Sequence, residues 1–71
     1  MGLRVLIRNP RNGRQAWFRL PFYFGKLTRL GLRGSYEEQI EIVDYEGPAY
    51  IGLGLFMVED LEQLNRQADS Y

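Results

Sequence analysis

The sequence predicts an α+β domain: a three-stranded, mainly antiparallel sheet with two short helices, in the order β-β-α-β-α. Three observations predict it. Residues 38–48 read E-Q-I-E-I-V-D-Y-E-G-P, with Ile40 and Ile42 on one side and Gln39, Glu41 and Val43 on the other. That period of two marks a half-buried strand. Two more runs, Leu3 to Asn9 and Gln15 to Leu20, flank Asn12-Gly13, a pair that tolerates the positive φ of a hairpin turn. Finally, Phe22 to Leu30 and Met57 to Gln67 repeat apolar residues at helical spacing.

In chain order, the first strand places Leu3, Val5 and Ile7 on its apolar face and Arg4 and Arg8 on the other. Pro10 ends it or marks an edge. The returning strand carries Trp17 and Phe18 on opposite faces, and either could enter the core. Pro21 suits the first turn of a helix, in which Tyr23 or Phe24, then Leu27 and Leu30, share a face. Gly25 weakens that helix and Gly31 caps it. Gly34-Ser35 turns the chain into the third strand, which Gly47-Pro48 stops. The apolar stretch Ala49 to Met57 follows neither period and reads as a loop over the core, or as a contact surface for self-association. Its Gly-x-Gly lacks the third glycine and the strand–helix context of a dinucleotide site. In the last helix Val58, Leu61, Leu64 and Ala68 recur, with Glu59, Asp60 and Glu62 early and Arg66 four residues after Glu62. Asp69 to Tyr71 are expected to fray.

On this reading Leu3, Val5, Ile7, Ile40 and Ile42 form the sheet side of one core, and Leu27, Leu30, Leu61 and Leu64 its helix side. If the first and third strands are neighbours, Arg4 and Arg8 face Glu41 and Tyr45 on the outer side. The 71 residues make a single small domain. A chain of this size buries only roughly 60% of its unfolded surface, so a second copy would help it. Without Cys or His there is no disulfide, no thiolate site and neither of the usual nucleophile–base pairings. A catalyst would need a carboxylate pair or a perturbed Lys26, and no such constellation stands out, so an enzyme, a cofactor and a metal site are not expected. Met1-Gly2-Leu3-Arg4 leads straight into a strand pattern, and no apolar run approaches the roughly 20 residues of a membrane span. A cytoplasmic protein is the expectation.

Charge divides the chain. Met1 to Gly34 holds eight basic residues and no acid; Ser35 to Tyr71 holds nine acids and one base, which gives the net of zero.

Four segments together resemble the first domain of the ArdA-type antirestriction proteins. They are Val5-Leu6-Ile7-Arg8-Asn9, Ala16-Trp17-Phe18-Arg19-Leu20-Pro21, Ile42-Val43-Asp44-Tyr45-Glu46-Gly47-Pro48 and Leu61-Glu62-Gln63-Leu64-Asn65. Proteins of that family are carried by conjugative elements and phages and inhibit type I restriction enzymes by imitating DNA. The family's members are longer, multidomain and strongly acidic, whereas these residues span one domain with no net charge. The resemblance implies the fold of that domain and an inhibitor of a host-defence nuclease, a restriction enzyme or a CRISPR effector.

Two classes of function follow. An inhibitor would line up carboxylates to occupy a basic nucleic-acid channel. Its partner-binding residues would be Glu37, Glu38, Glu41, Asp44 and Glu46, extended by Glu59, Asp60 and Glu62. Alternation along the strand separates Glu38 and Asp44 from Glu37 and Glu41, so only part of this row shares a face. An ordinary solvated acidic surface is the plainer account. The alternative is a small nucleic-acid-binding module. Here Arg4, Arg8, Arg11, Arg14 and Arg19 would contact phosphates while Trp17 stacks on bases. Against it stands the neutral net charge, and turn chemistry alone explains a solvated basic tip. A homodimer through Ala49 to Met57 is the further partner expected.

Overall fold

A computed structural model describes residues 3–47 and 51–68. Strands β1 (Leu3–Arg8) and β2 (Gln15–Leu20) form the hairpin, and a 3-10 helix spans Phe24–Leu30. Strands β3 (Gln39–Glu46) and β4 (Gly54–Met57) and an α-helix, α1 (Val58–Ala68), complete the chain. The class is α+β with an antiparallel sheet and two helices, but the sheet has four strands in the order β2-β1-β3-β4, not three. The extra strand comes from the stretch expected to be a loop. Phe56 turns inward, and Leu55 and Met57 turn outward. Both sets are apolar, so no polar residue marks the outer face and the period of two is hidden. Residues 48–50 of that stretch, and 69–71 at the end, lie outside the described residues.

The first helix is 3-10 rather than α. Phe24, Leu27 and Leu30 stand three apart, and the three-residue turn puts them in one line. Leu27 and Leu30 are buried by it. It starts at Phe24, so Pro21 does not open it; the Leu20–Pro21 peptide is cis. Gly31 ends it at φ 81°, where a Cβ would be strained, and its N–H closes the last turn onto the Leu27 and Thr28 carbonyls. Asn65 on α1 then ties the helices' side of the fold together. Its amide donates to the Phe22 carbonyl at 3.0 Å, and its oxygen accepts from the Phe22 N–H at 3.2 Å.

The core lies between the sheet and the two helices. Val5, Ile7 and Ile40 are fully buried on the sheet side, and Leu27 and Leu61 on the helix side. Burying each such side chain stabilises by about 1.5–3 kcal/mol. Leu64, expected among them, is half-buried and packs against the core's edge. Phe18 is the member of its pair that goes inward, stacked on Phe22 at 4.9 Å between ring centroids. Trp17 stands on the outer face.

A β-bulge in β3 decides where the acids go. Ile7 pairs with Ile42 and Leu6 with Asp44, so Val43 is the extra residue. Strict alternation from Ile40 and Ile42 would carry Asp44 and Glu46 into the core. The bulge reverses the parity instead. Tyr45 turns inward against the core, while Asp44 and Glu46 turn outward beside Glu41. Among the described residues no helix is long and apolar enough to cross a membrane.

Candidate functional site

The residues singled out in the sequence fall into three places. The first is the outer face of the sheet, which no helix covers among the described residues. In register across it run Arg19, Arg4 and Glu46; then Trp17, Leu6 and Asp44; then Gln15, Arg8, Glu41 and Leu55. Arg4 pairs with Glu46, not with Tyr45 as strict alternation expects, because the bulge moves Tyr45 inside. Arg8 lies 3.6 Å from Glu41. The Arg4 guanidinium also sits over the Trp17 ring, 5.2 Å from its centroid. Glu41 is half-buried rather than fully exposed, crowded by Arg8. The bulge thus unites Glu41, Asp44 and Glu46, which alternation alone would divide. Two of the three are matched by arginines on the same face, and such exposed pairs contribute roughly 0–1 kcal/mol each.

The second place is an acidic end. The N–H groups of Val58 and Glu59 donate to the Glu38 and Tyr36 carbonyls at 2.9 and 3.3 Å. This stitches the start of α1 to the loop before β3 and brings Glu59 and Glu62 of α1 beside Tyr36, with Glu37 the next residue on the loop. A hydrogen bond to Glu62 and its charge, with Glu59 adding to it, raise the Tyr36 hydroxyl above its ordinary pKa. Glu62 also accepts from Arg66 at 3.0 Å, and the Arg66 charge works against the rise. Tyr36 is exposed, with its ring edge-on to Phe24 at 6.3 Å. Sequence reasoning passed over Tyr36. Its adjacency to Glu37 was visible, but its meeting with Glu59 and Glu62 is tertiary and left no local signal.

Two acids of the expected row have structural partners. Asp60 accepts the Met57 N–H at 3.0 Å, a reach back across the first turn of α1. Glu38 takes the Arg33 N–H on both oxygens, at 2.8 and 3.0 Å, and the Ser35 N–H at 3.0 Å. Partial desolvation works against its charge, but the amides of Arg33, Ser35 and Gly34 outweigh that and hold its carboxyl below the ordinary value.

The third place is the hairpin tip. Asn9 is buried; its amide donates to the Leu30 carbonyl at 2.7 Å and its oxygen accepts from Arg11 N–H at 3.0 Å. Asn12 repeats the pattern, donating to Leu30 at 3.0 Å and accepting from Arg14 N–H at 2.9 Å. The tip is thereby fixed to the end of the 3-10 helix. Arg11 and Arg33 line one open cleft with Gly31, Ser35, Glu37 and Glu38. Arg33 was not among the expected binding residues, and neither Arg11, Arg14 nor Arg33 makes an ion pair within the described residues. Arg4 and Arg8, expected in the same basic group, are held apart from it by their carboxylate partners.

Compared with known proteins, the chain matches no family model, no curated protein and no solved structure.

Proposed function

We propose that this protein inhibits a host-defence nuclease, a restriction enzyme or a CRISPR effector, by presenting carboxylates to its nucleic-acid-binding region. The observation that carries the reading is the stitching of the loop before β3 to the start of α1, which sets Glu37 on the loop close to Glu59 and Glu62 on the helix. Carboxylates held on a helix start and an adjoining stitched loop keep fixed spacing, as a mimic of phosphates must. The sequence resemblance to the first domain of ArdA-type proteins supports the same reading. Of the expected acidic row, Glu37, Glu59 and Glu62 are the central contacts. Glu38 and Asp60 shape the end, and Glu41, Asp44 and Glu46 form a separate set on the sheet.

The test is a cleavage assay of candidate restriction and CRISPR nucleases with the protein added, beside a gel shift of the protein with single- and double-stranded DNA. Loss of cleavage without a shift is expected, and Glu37→Lys with Glu59→Lys should abolish the inhibition while circular dichroism stays unchanged. A tight shift with undiminished cleavage would reject the reading.

A second reading, a nucleic-acid-binding module, is favoured by the hairpin tip. Asn9 and Asn12 tie down the backbone that carries Arg11 and Arg14, so binding there orders the two side chains but not the turn beneath them. On that reading the gel shift is positive. Arg11→Ala and Arg14→Ala are then the damaging changes, each reducing the salt slope by about one unit.

A further inference from the structure

We propose that the uncovered outer face of the sheet is an interface with a second copy of this chain, packed face to face about a two-fold axis that runs parallel to the strands between β1 and β3. The inference goes beyond the inhibitor reading and uses none of the side chains around Tyr36. Apolar side chains stand open on this face or at its margin: Trp17, Val43 and Met57 are 37–38% exposed, and Leu53 and Leu55 are 54% and 58% exposed. They lie among charges, and the charges identify the occupant.

Arg4, Arg8 and Arg19 occupy the β1–β2 half of the face, and Glu41, Asp44 and Glu46 the β3 side. Three cations and three anions leave the face neutral, so a foreign polyanion or polycation is repelled by half of it. A second copy is not. A two-fold axis along the strands keeps each residue's height and exchanges left for right. It lays β1 over the partner's β3, so Arg4 meets the partner's Glu46 and Arg8 meets the partner's Glu41. The same operation lays β2 toward the partner's β4, and Trp17 toward the partner's Leu53 and Leu55. The other in-plane axis, across the strands, would set Arg4 against the partner's Arg8 and Glu41 against the partner's Glu46. Like charges exclude it. Every contact then occurs twice, as an isologous interface requires. Sheets packed face to face lie about 10 Å apart with strands within about 30°. Opposed Arg and Glu side chains meet midway across that gap.

Size sets the strength. Four strands at about 4.8 Å spacing and six residues at about 3.3 Å rise make a face of about 19 by 20 Å. That is about 380 Å² per copy, below the roughly 1,200–2,000 Å² in total of stable interfaces, so the association is a weak, transient one, expected at about hundreds of micromolar.

Sedimentation equilibrium from about 10 µM to 1 mM, with the emission of Trp17, tests the proposal. Trp17 is the chain's only tryptophan, so its environment is read directly. The mass should rise toward a dimer, and the emission should shift to the blue with it. Arg4→Glu with Arg8→Glu makes the face acidic, and Glu41→Arg with Glu46→Arg makes it basic. Each variant alone should remain a monomer with an unchanged circular dichroism spectrum. Mixed in equal amounts, they should form a heterodimer and restore the blue shift. Should either variant fail to fold, Leu55→Gln alters one open position and should weaken the dimer several-fold. A monomer at 1 mM overturns the proposal. So does a dimer that leaves Trp17 unshifted, or one that persists in both charge variants or unweakened in Leu55→Gln. Because the nuclease assay reads Glu37 and Glu59, its failure and the failure of this proposal are told apart.

Discussion

Asn65 shows how one side chain joins distant parts of the chain. It answers both the N–H and the C=O of Phe22, 43 residues away, where the hairpin passes into the 3-10 helix. Asn65→Ala leaves both groups partly buried without that partner and should cost about 1–3 kcal/mol. Asn65→Asp keeps the acceptor but loses the donor, so its midpoint in urea should fall between those of the alanine variant and the parent. Glu38 has a comparable role in the loop before β3. Its pKa is depressed in the folded state by the Arg33, Ser35 and Gly34 amides. The unfolded chain therefore binds its proton more readily. Stability from Glu38 is present above the ordinary glutamate pKa and is lost as pH falls through the lower folded value. Glu38→Gln should remove that contribution at pH 7. The urea midpoints of variant and parent should converge in acid, below about pH 4. A gap that stays constant from pH 7 to pH 3 would refute the assignment.

At the scale of elements, what could be read from the sequence depended on contrast between faces. β1 alternates, β2 is set by the hairpin turn before it and α1 repeats apolar residues at helical spacing, so their positions are legible within a residue or so, though not which of Trp17 and Phe18 turns inward. β4 alternates apolar with apolar and has glycine at its start, so its periodicity was silent. The 3-10 helix was legible as a helix but not as its type, since Phe24, Leu27 and Leu30 fit either period over so short a run. The bulge was also hidden. Val43 and Asp44 both face outward, and only the pairing of Ile7 with Ile42 and Leu6 with Asp44 reveals the extra residue. That extra residue can be tested by deletion. Removing Val43 leaves Ile42 inward, Asp44 outward, Tyr45 inward and Glu46 outward in unbroken alternation. The deletion should change stability by less than about 1 kcal/mol, since no side chain changes face. Removing Tyr45 cannot be absorbed in this way, because either Asp44 or Glu46 must then point at the core. It should cost more than about 3 kcal/mol, within the range for burying an unpaired charge. Equal urea midpoints for the two deletions would show that β3 does not carry the bulge.

Across the whole molecule, folding reorders a charge division that the sequence displays in two halves. Arg4 and Arg8 from the basic half neutralise Glu46 and Glu41 from the acidic half, and the sheet face becomes mixed. What stays apart is smaller: a cationic hairpin tip with Arg11 and Arg14, and an acidic helix start with Glu59 and Glu62, while Glu37 shares the cleft of Arg11 and Arg33. This is why the expected row of eight acids was only partly legible as a site. Its members were correct as surface charges, but pairing and capping among them depend on strand order and on the bulge. The division has a measurable consequence for the proposed inhibition. If the acidic end meets a basic channel, the attraction acts mainly during approach and is screened by salt. The Debye length falls from about 10 Å at 0.1 M to about 3 Å at 1 M ionic strength. Inhibition measured between 50 mM and 300 mM salt should therefore weaken chiefly through a slower association rate, with dissociation changing less. Glu37→Gln with Glu59→Gln should reduce both the rate and its salt dependence, while Asp44→Asn should leave both nearly unchanged. An association rate that is insensitive to salt, or that responds to Asp44→Asn as strongly as to the paired change at Glu37 and Glu59, would move the contact away from the acidic end.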